Sequence, residues 1–490
     1  MFTIIVAVMF KLKSRKPFLI PTLLQVIFIL VICLVMSGHA LSKTTIDTYE
    51  LKNISQKKNA FLISTDSLLI PVINQQSWTL DSPTINALLT TKLNKSLTID
   101  NFPLDAILTN EGFSTAVKLT RYRLFSESSK IHLVTSSTNK LLPIPKLLAY
   151  SSPKHGIAMI INPLSGETHG VYNHQGESLE ITGNIHYGLN LFLPQEDVMD
   201  NKVLKQCMMK MSHQPKESAN ELISSMTSRK IETQSINGAT MYQAIIAVDT
   251  DNEWMAGKSN NSTTAMNYIS SLFVNMNIYF ERDFSTRLLI GDVFLRTSAD
   301  PFPNDANIFN QLNNFGEYWR TNQAVVDRNF ALILSGQNIG NNSFSGIAWL
   351  NQYCQNGFQQ GGGSQTVGSY SVNRIGSNIS TAFVSPFVAH ELGHNFGSPH
   401  THCYMPAVDN CYNAEQGCFN GTPSCPTGNG HGTIMSYCHF GGANGASCGS
   451  SNKLFHPTVI SLIQSRVVNN SPSCITPLSN ADIIFSNGFE

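Results

Sequence analysis

The chain has 490 residues, 42% of them apolar and only 13% charged, with 32 Lys and Arg against 32 Asp and Glu. Ordinary domains run to about 100 to 200 residues with about 25% charge, so two or more folded units are expected, and a disordered, coiled-coil or fibrous chain is excluded. Lys11, Lys13, Arg15 and Lys16 precede the first acidic residue, Asp47, and taking these 4 from 32 leaves 28 basic against 32 acidic residues. No basic field remains for a nucleic-acid partner.

In chain order, that basic stretch leads into the apolar run 18–36 and then Ser37-Gly38-His39-Ala40. This pattern predicts a signal peptide over 1–40, with a mature start near Leu41 and secretion as its consequence. The alternative is an uncleaved membrane anchor, since about 20 apolar residues cross a bilayer, although Pro21 and Gln25 interrupt this run. Residues 41–235 hold alternating apolar and polar segments such as Ile131-His132-Leu133-Val134 and Leu179-Glu180-Ile181-Thr182 and read as a strand-rich domain. A polar linker is expected from His213 to Gly238. The next domain, 236–475, opens with the strand Ala244 to Val248, followed by Ala265, Ile269, Leu272, Phe273, Met276 and Phe280 at helical spacing. A strand over 287–295, a helix over 308–319 and a strand over 330–334 complete an α/β (α+β) pattern, a mixed sheet with helices against it. Residues 476–490 form a tail.

Cysteine placement agrees with export. Beyond Cys33 in the leader and Cys207 alone, Cys354, Cys403, Cys411, Cys418, Cys425, Cys438, Cys448 and Cys474 crowd the last third. They predict up to four disulfides stapling an irregular segment, with the pairing open; a structural zinc cluster is the rival, but no matched C-x2-C pairs are present.

Between them lies Ser385-Pro386-Phe387-Val388-Ala389-His390-Glu391-Leu392-Gly393-His394-Asn395-Phe396-Gly397-Ser398-Pro399-His400. Ser385 is expected to cap a helix, with Pro386 in its first turn. His390 and His394, four residues apart, leave the same helix face, so two imidazoles can share one ion. Gly397 is placed to end the helix at positive φ and return His400 to the same point. Three neutral imidazoles on one divalent ion leave a tetrahedral position open for water, as in catalytic zinc, and Glu391 lies where its carboxylate reaches that water. His402, His431, His439 and His456 read as solvated loop residues.

The string H-E-x-x-H-x-x-G-x-x-H resembles the metzincin zinc peptidases, and the expected Met-turn follows as Gly432-Thr433-Ile434-Met435-Ser436-Tyr437. His394-Asn395-Phe396-Gly397 and the cysteine-rich segment resemble the reprolysin, or adamalysin, group, of the M12 type. Thr401 stands where that group usually has Asp, and Tyr437 follows Met435 as in astacin-like and serralysin-like enzymes. The resemblance implies one catalytic zinc on His390, His394 and His400, Glu391 as general base and Met435 as an apolar floor. Tyr437 would stabilise the oxyanion; the alternative is a packing tyrosine. Gly346, Ile347, Ala348 and Trp349 would form an edge strand that pairs with a peptide substrate, or else an ordinary sheet strand. Cys207 would hold a zymogen silent by occupying the zinc, with 41–235 as prodomain and Arg229-Lys230 as a basic processing site; the alternative is a buried cysteine. Calcium is not indicated. These features imply a secreted, monomeric zinc endopeptidase acting on proteins or peptides. The alternatives are a catalytically silent adhesion protein of the same fold, or a membrane-tethered sheddase if residues 18–36 stay attached.

Overall fold

The computed structural model describes residues 76–102, 115–192 apart from 175–176, the backbone of 204–210, and 240–478 apart from 304, 338, 341–342, 361–362, 364, 378, 428–430 and 450–451. The leader with its two alternatives, the linker with Arg229-Lys230, and the tail beyond 478 lie outside the described residues. Among the described residues no helix is long and apolar enough to cross a membrane.

The first region forms an antiparallel sheet of eight strands: β1 (Gln76–Trp78), β2 (Ser96–Phe102), β3 (Thr115–Tyr122), β6 (Leu148–Ser152), β7 (Ile157–Ile161), β8 (Glu167–His174), β9 (Glu177–Asn184) and β10 (Gly188–Phe192), in the order β1-β10-β9-β8-β7-β6-β3-β2. Side chains alternate across a strand, and in β7 both faces are buried. Ile157, Met159 and Ile161 pack with Leu88 of helix α1 (Ser82–Thr90) in one core, whereas Ala158 and Ile160 enter a second core. That second core belongs mainly to the later region.

The remaining strands are β4 (Ile131–Val134), β5 (Asn139–Leu142), β11 (Leu204–Lys210), β12 (Tyr242–Thr250), β13 (Thr286–Arg296), β14 (Phe330–Ser335), β15 (Phe344–Trp349), the small hairpin β16 (Phe358–Gln360) and β17 (Gln365–Val367), β18 (Tyr370–Ile375) and β19 (Thr476–Pro477). All but the hairpin build a mixed sheet in the order β11-β15-β18-β14-β12-β13-β4-β5, with β19 against β12. The sequence pattern shows a mixed sheet with helices, but it places β4 in a separate domain. The structure instead pairs β4 in parallel with β13, Ile131 opposite Val293, and the chain just before it also bonds β13, with the Ile290 N–H donating to Leu124 O at 2.9 Å. A period-2 pattern says which face a strand buries but not which strand lies beside it.

Short helix α2 (Asn252–Gly257) leads to α3 (Ser262–Phe284), whose N-cap Asn261 accepts from the N–H groups of Thr263 and Thr264. Such a cap contributes about 1 kcal/mol. The helix is buried nearly all round, which an amphipathic surface helix would not be. The mixed sheet covers one side, through β13, and β6 and β7 of the antiparallel sheet cover the other. Opposite, α4 (Ile308–Asn322) packs on β15 and β18, and Asp249 of β12 ties the layers by accepting from Arg296 at 2.7 and 2.8 Å and from Trp319 Nε1 at 2.9 Å. The eight late cysteines pair as Cys354–Cys474, Cys403–Cys418, Cys411–Cys438 and Cys425–Cys448. They fasten the irregular segment that precedes α6 (Pro457–Asn469).

Candidate metal centre

The helix that carries the motif, α5 (Thr381–Asn395), starts four residues earlier than Ser385, so Ser385 is not its cap and Pro386 lies inside it. A proline within a helix strands the carbonyl four residues back. Here Ser385 Oγ donates to that carbonyl, Ala382 O, at 3.4 Å, and rests 3.3 Å from the Tyr279 hydroxyl. At the true start, the Ser380 hydroxyl and the Ala382 N–H donate to the buried carboxylate of Glu180, from β9, 200 residues earlier. Burial raises the pKa of Glu180, against the lowering effect of these bonds. At the other end Asn395 Nδ2 donates to Trp349 O at 2.8 Å and to Tyr370 O at 3.0 Å, and the Asn351 N–H donates to His394 O at 2.8 Å. The helix is thereby fixed to β15 and β18. Gly397 has φ 108° and turns the chain back, as its position predicts.

His390, His394 and His400 are all buried, and each has its Nδ1 anchored: His390 to Ile434 O at 2.5 Å, His394 to Ser398 O at 2.7 Å, His400 to Glu415 Oε2 at 2.7 Å. An acceptor at Nδ1 places the proton there and leaves Nε2 with a bare lone pair. His390 Nε2 is buried with no partner, and the Nε2 atoms of His394 and His400 stand 3.2 Å apart. One ligand nitrogen from each ring lies within 4.8 Å of the others. Two nitrogens about 2.0 to 2.1 Å from a tetrahedral zinc stand roughly 3.3 Å apart, so the residues present fit such an ion. Burial lowers all three pKa values, that of His394 to about 3, with neighbouring imidazoles adding to it at His390 and His394 and Glu415 opposing it at His400, so the rings stay neutral as ligands must.

Glu391 is fully buried beside this cluster. A Cβ at Gly346 would sit 2.4 Å from Glu391 Oε1 and 2.6 Å from Phe387 Cζ, so β15 crosses directly over the carboxylate and only glycine allows the approach. Likewise a Cβ at Gly393 would meet Met435 Sδ at 2.6 Å, which places Met435, itself buried, against the helix under the histidines. The Tyr437 ring lies 4.1 Å from the His400 ring and 6.1 Å from that of His390. Ile347, Ala348 and Trp349 of β15 are fully buried. β15 is not a free edge in the full chain: β18 pairs with one side and β11 runs parallel along the other, with Cys207 opposite Gly346. The Cys207 side chain lies outside the described residues.

Three residues of this neighbourhood are not marked by any motif. Glu180 and Glu415 reach it from remote positions, and His402, expected in solvent, is fully buried with Nε2 2.9 Å from Glu415 Oε2. A loop histidine is solvated only where nothing folds over it, and here the segment closed by Cys403–Cys418 does. His456 instead caps α6, accepting from the Thr458 N–H at 3.2 Å.

A helix-borne His-Glu-x-x-His pair, a third histidine after a glycine turn and a methionine beneath them define a metallopeptidase-type centre. Residues 240–447 match Reprolysin_5, Metallo-peptidase family M12, and this match supports a reprolysin-like metzincin over that segment. Among solved structures it is similar to metalloproteinase-II from Bacteroides fragilis, at 10% identity and TM-score 0.35, covering 79% of this chain and 96% of that one. A chaperone-substrate complex aligns at 15% identity and TM-score 0.27, over 47% of this chain and 36% of that one. No curated protein sequence matches significantly.

Proposed function

We propose that this protein is an exported zinc endopeptidase made as a zymogen, hydrolysing peptide bonds in proteins or peptides. The observation that carries the reading is the convergence of three buried, Nδ1-anchored imidazoles next to a buried glutamate under a strand that can pair with a peptide. Zinc, when bound, brings a coordinated water to a pKa of about 7 and polarises the scissile carbonyl. His390, His394 and His400 would hold it. Glu391 takes the proton from the attacking water and passes it to the leaving amine. The backbone of β15 aligns an extended substrate once β11 has left it. Tyr437, packed on His400, donates to the developing oxyanion.

Zymogen silencing is supported by β11 filling the substrate strand's free side and by the register that puts Cys207, a residue whose thiolate zinc binds well, opposite Gly346. Export is supported by the leader-like N-terminus and the four disulfides. The test is cleavage of a peptide library by the processed protein, lost with a chelator and restored by zinc. Glu391→Gln should keep zinc while turnover falls by roughly 10²-fold or more; a zinc-replete variant of near-normal activity would overturn the assignment of the base.

A further inference from the structure

The three imidazole anchors are not equivalent. His390 and His394 donate to backbone carbonyls, fixed by the chain itself, whereas His400 donates to a side chain, Glu415. His400 also lies beyond the end of α5, where no helix holds its ring. The same oxygen, Glu415 Oε2, accepts from His402 Nε2 at 2.9 Å, and the rings of His400 and His402 stack at 5.3 Å and 10°. The chain between His402 and Glu415 is closed by Cys403–Cys418, and the Phe419 N–H returns to His402 O at 2.9 Å. The disulfide loop therefore folds one carboxylate back onto both histidines.

We propose that Glu415 is a positioning residue for the third metal ligand, held by His402 and by the Cys403–Cys418 loop; this rests on the zinc reading above. A charged acceptor makes a stronger bond to an imidazole N–H than a carbonyl does. It fixes the tautomer and the ring direction, and it strengthens Nε2 as a donor to the ion. His402 supplies a second N–H to the same oxygen, so the carboxylate keeps its place when the ring of His400 moves.

The experiment uses the full chain, loaded with zinc, and follows metal transfer to a chromogenic chelator alongside melting of the zinc-free protein. Glu415→Ala should release zinc about 10- to 100-fold faster, the usual loss when such a partner is removed. Glu415→Gln, which keeps the shape and one acceptor oxygen, should fall between it and wild type, and both variants should melt like wild type without zinc. Should the alanine variant fail to fold, the glutamine variant decides. Variants that hold zinc as long as wild type, or lose it only in step with melting of the zinc-free protein, overturn the proposal. A wild-type chain that takes up no zinc overturns the zinc reading itself, and this inference with it.

Discussion

Gly346→Ala tests the closest approach in the centre. The added Cβ would lie 2.4 Å from Glu391 Oε1, 2.6 Å from its Cδ and 2.6 Å from Phe387 Cζ, where ordinary contact begins at 3.4 Å, so about 1 Å must be found. Neither backbone yields easily: β15 is paired along β18, and α5 is tied to β15 through Asn395. The movable part is the Glu391 carboxylate. Overpacking of this kind costs about 1 to 3 kcal/mol of stability, and displacing a catalytic group by about 1 Å costs about 10²-fold in rate, equivalent to about 2.7 kcal/mol of barrier. The assay is kcat and KM of the processed enzyme on a fluorogenic peptide, with zinc content and melting temperature measured in parallel. We expect kcat to fall about 10²-fold with zinc retained, while Ser345→Ala on the same strand leaves it unchanged. Full kcat and an unshifted melting temperature in Gly346→Ala would show that the strand does not press on the base.

Tyr437→Phe should lower kcat with little change in KM; an unaltered kcat would leave the ring as packing for His400 alone. Cys207→Ser should give a precursor that cleaves peptide before processing, and a variant as silent as wild type would leave inhibition to the pairing of β11 with β15. Asp300 has its pKa raised to about 8 by burial and then by the charges of Asp251 and Glu253, from 3.8 for the free group. The folded state therefore holds the extra proton between about pH 4 and about 8, and stability is lost as pH rises through that window. Asp300→Asn cannot ionise and should melt progressively higher than wild type from pH 4 to pH 8; a difference that does not grow with pH would refute the assignment.

The sequence by itself determined the elements whose signal is local. Four-residue spacing puts His390 and His394 on one helix face, a glycine at 397 permits the turn, and apolar runs mark β12, β13 and β14, because helix and strand periods are properties of neighbouring residues. Everything that depends on distant partners was decided by the tertiary structure. The start of α5 moved to Thr381 because Glu180 from another sheet caps it and a serine hydroxyl satisfies the carbonyl that Pro386 strands. The disulfide pairing, the occupant of the free side of β15, the joining of β4 to β13 and the carboxylate on His400 each link residues with no shared period. A strand edge, a bare helix end or an imidazole N–H accepts any suitable group that packing brings to it, and which group arrives is set by the burial of the whole core rather than by the residues beside it.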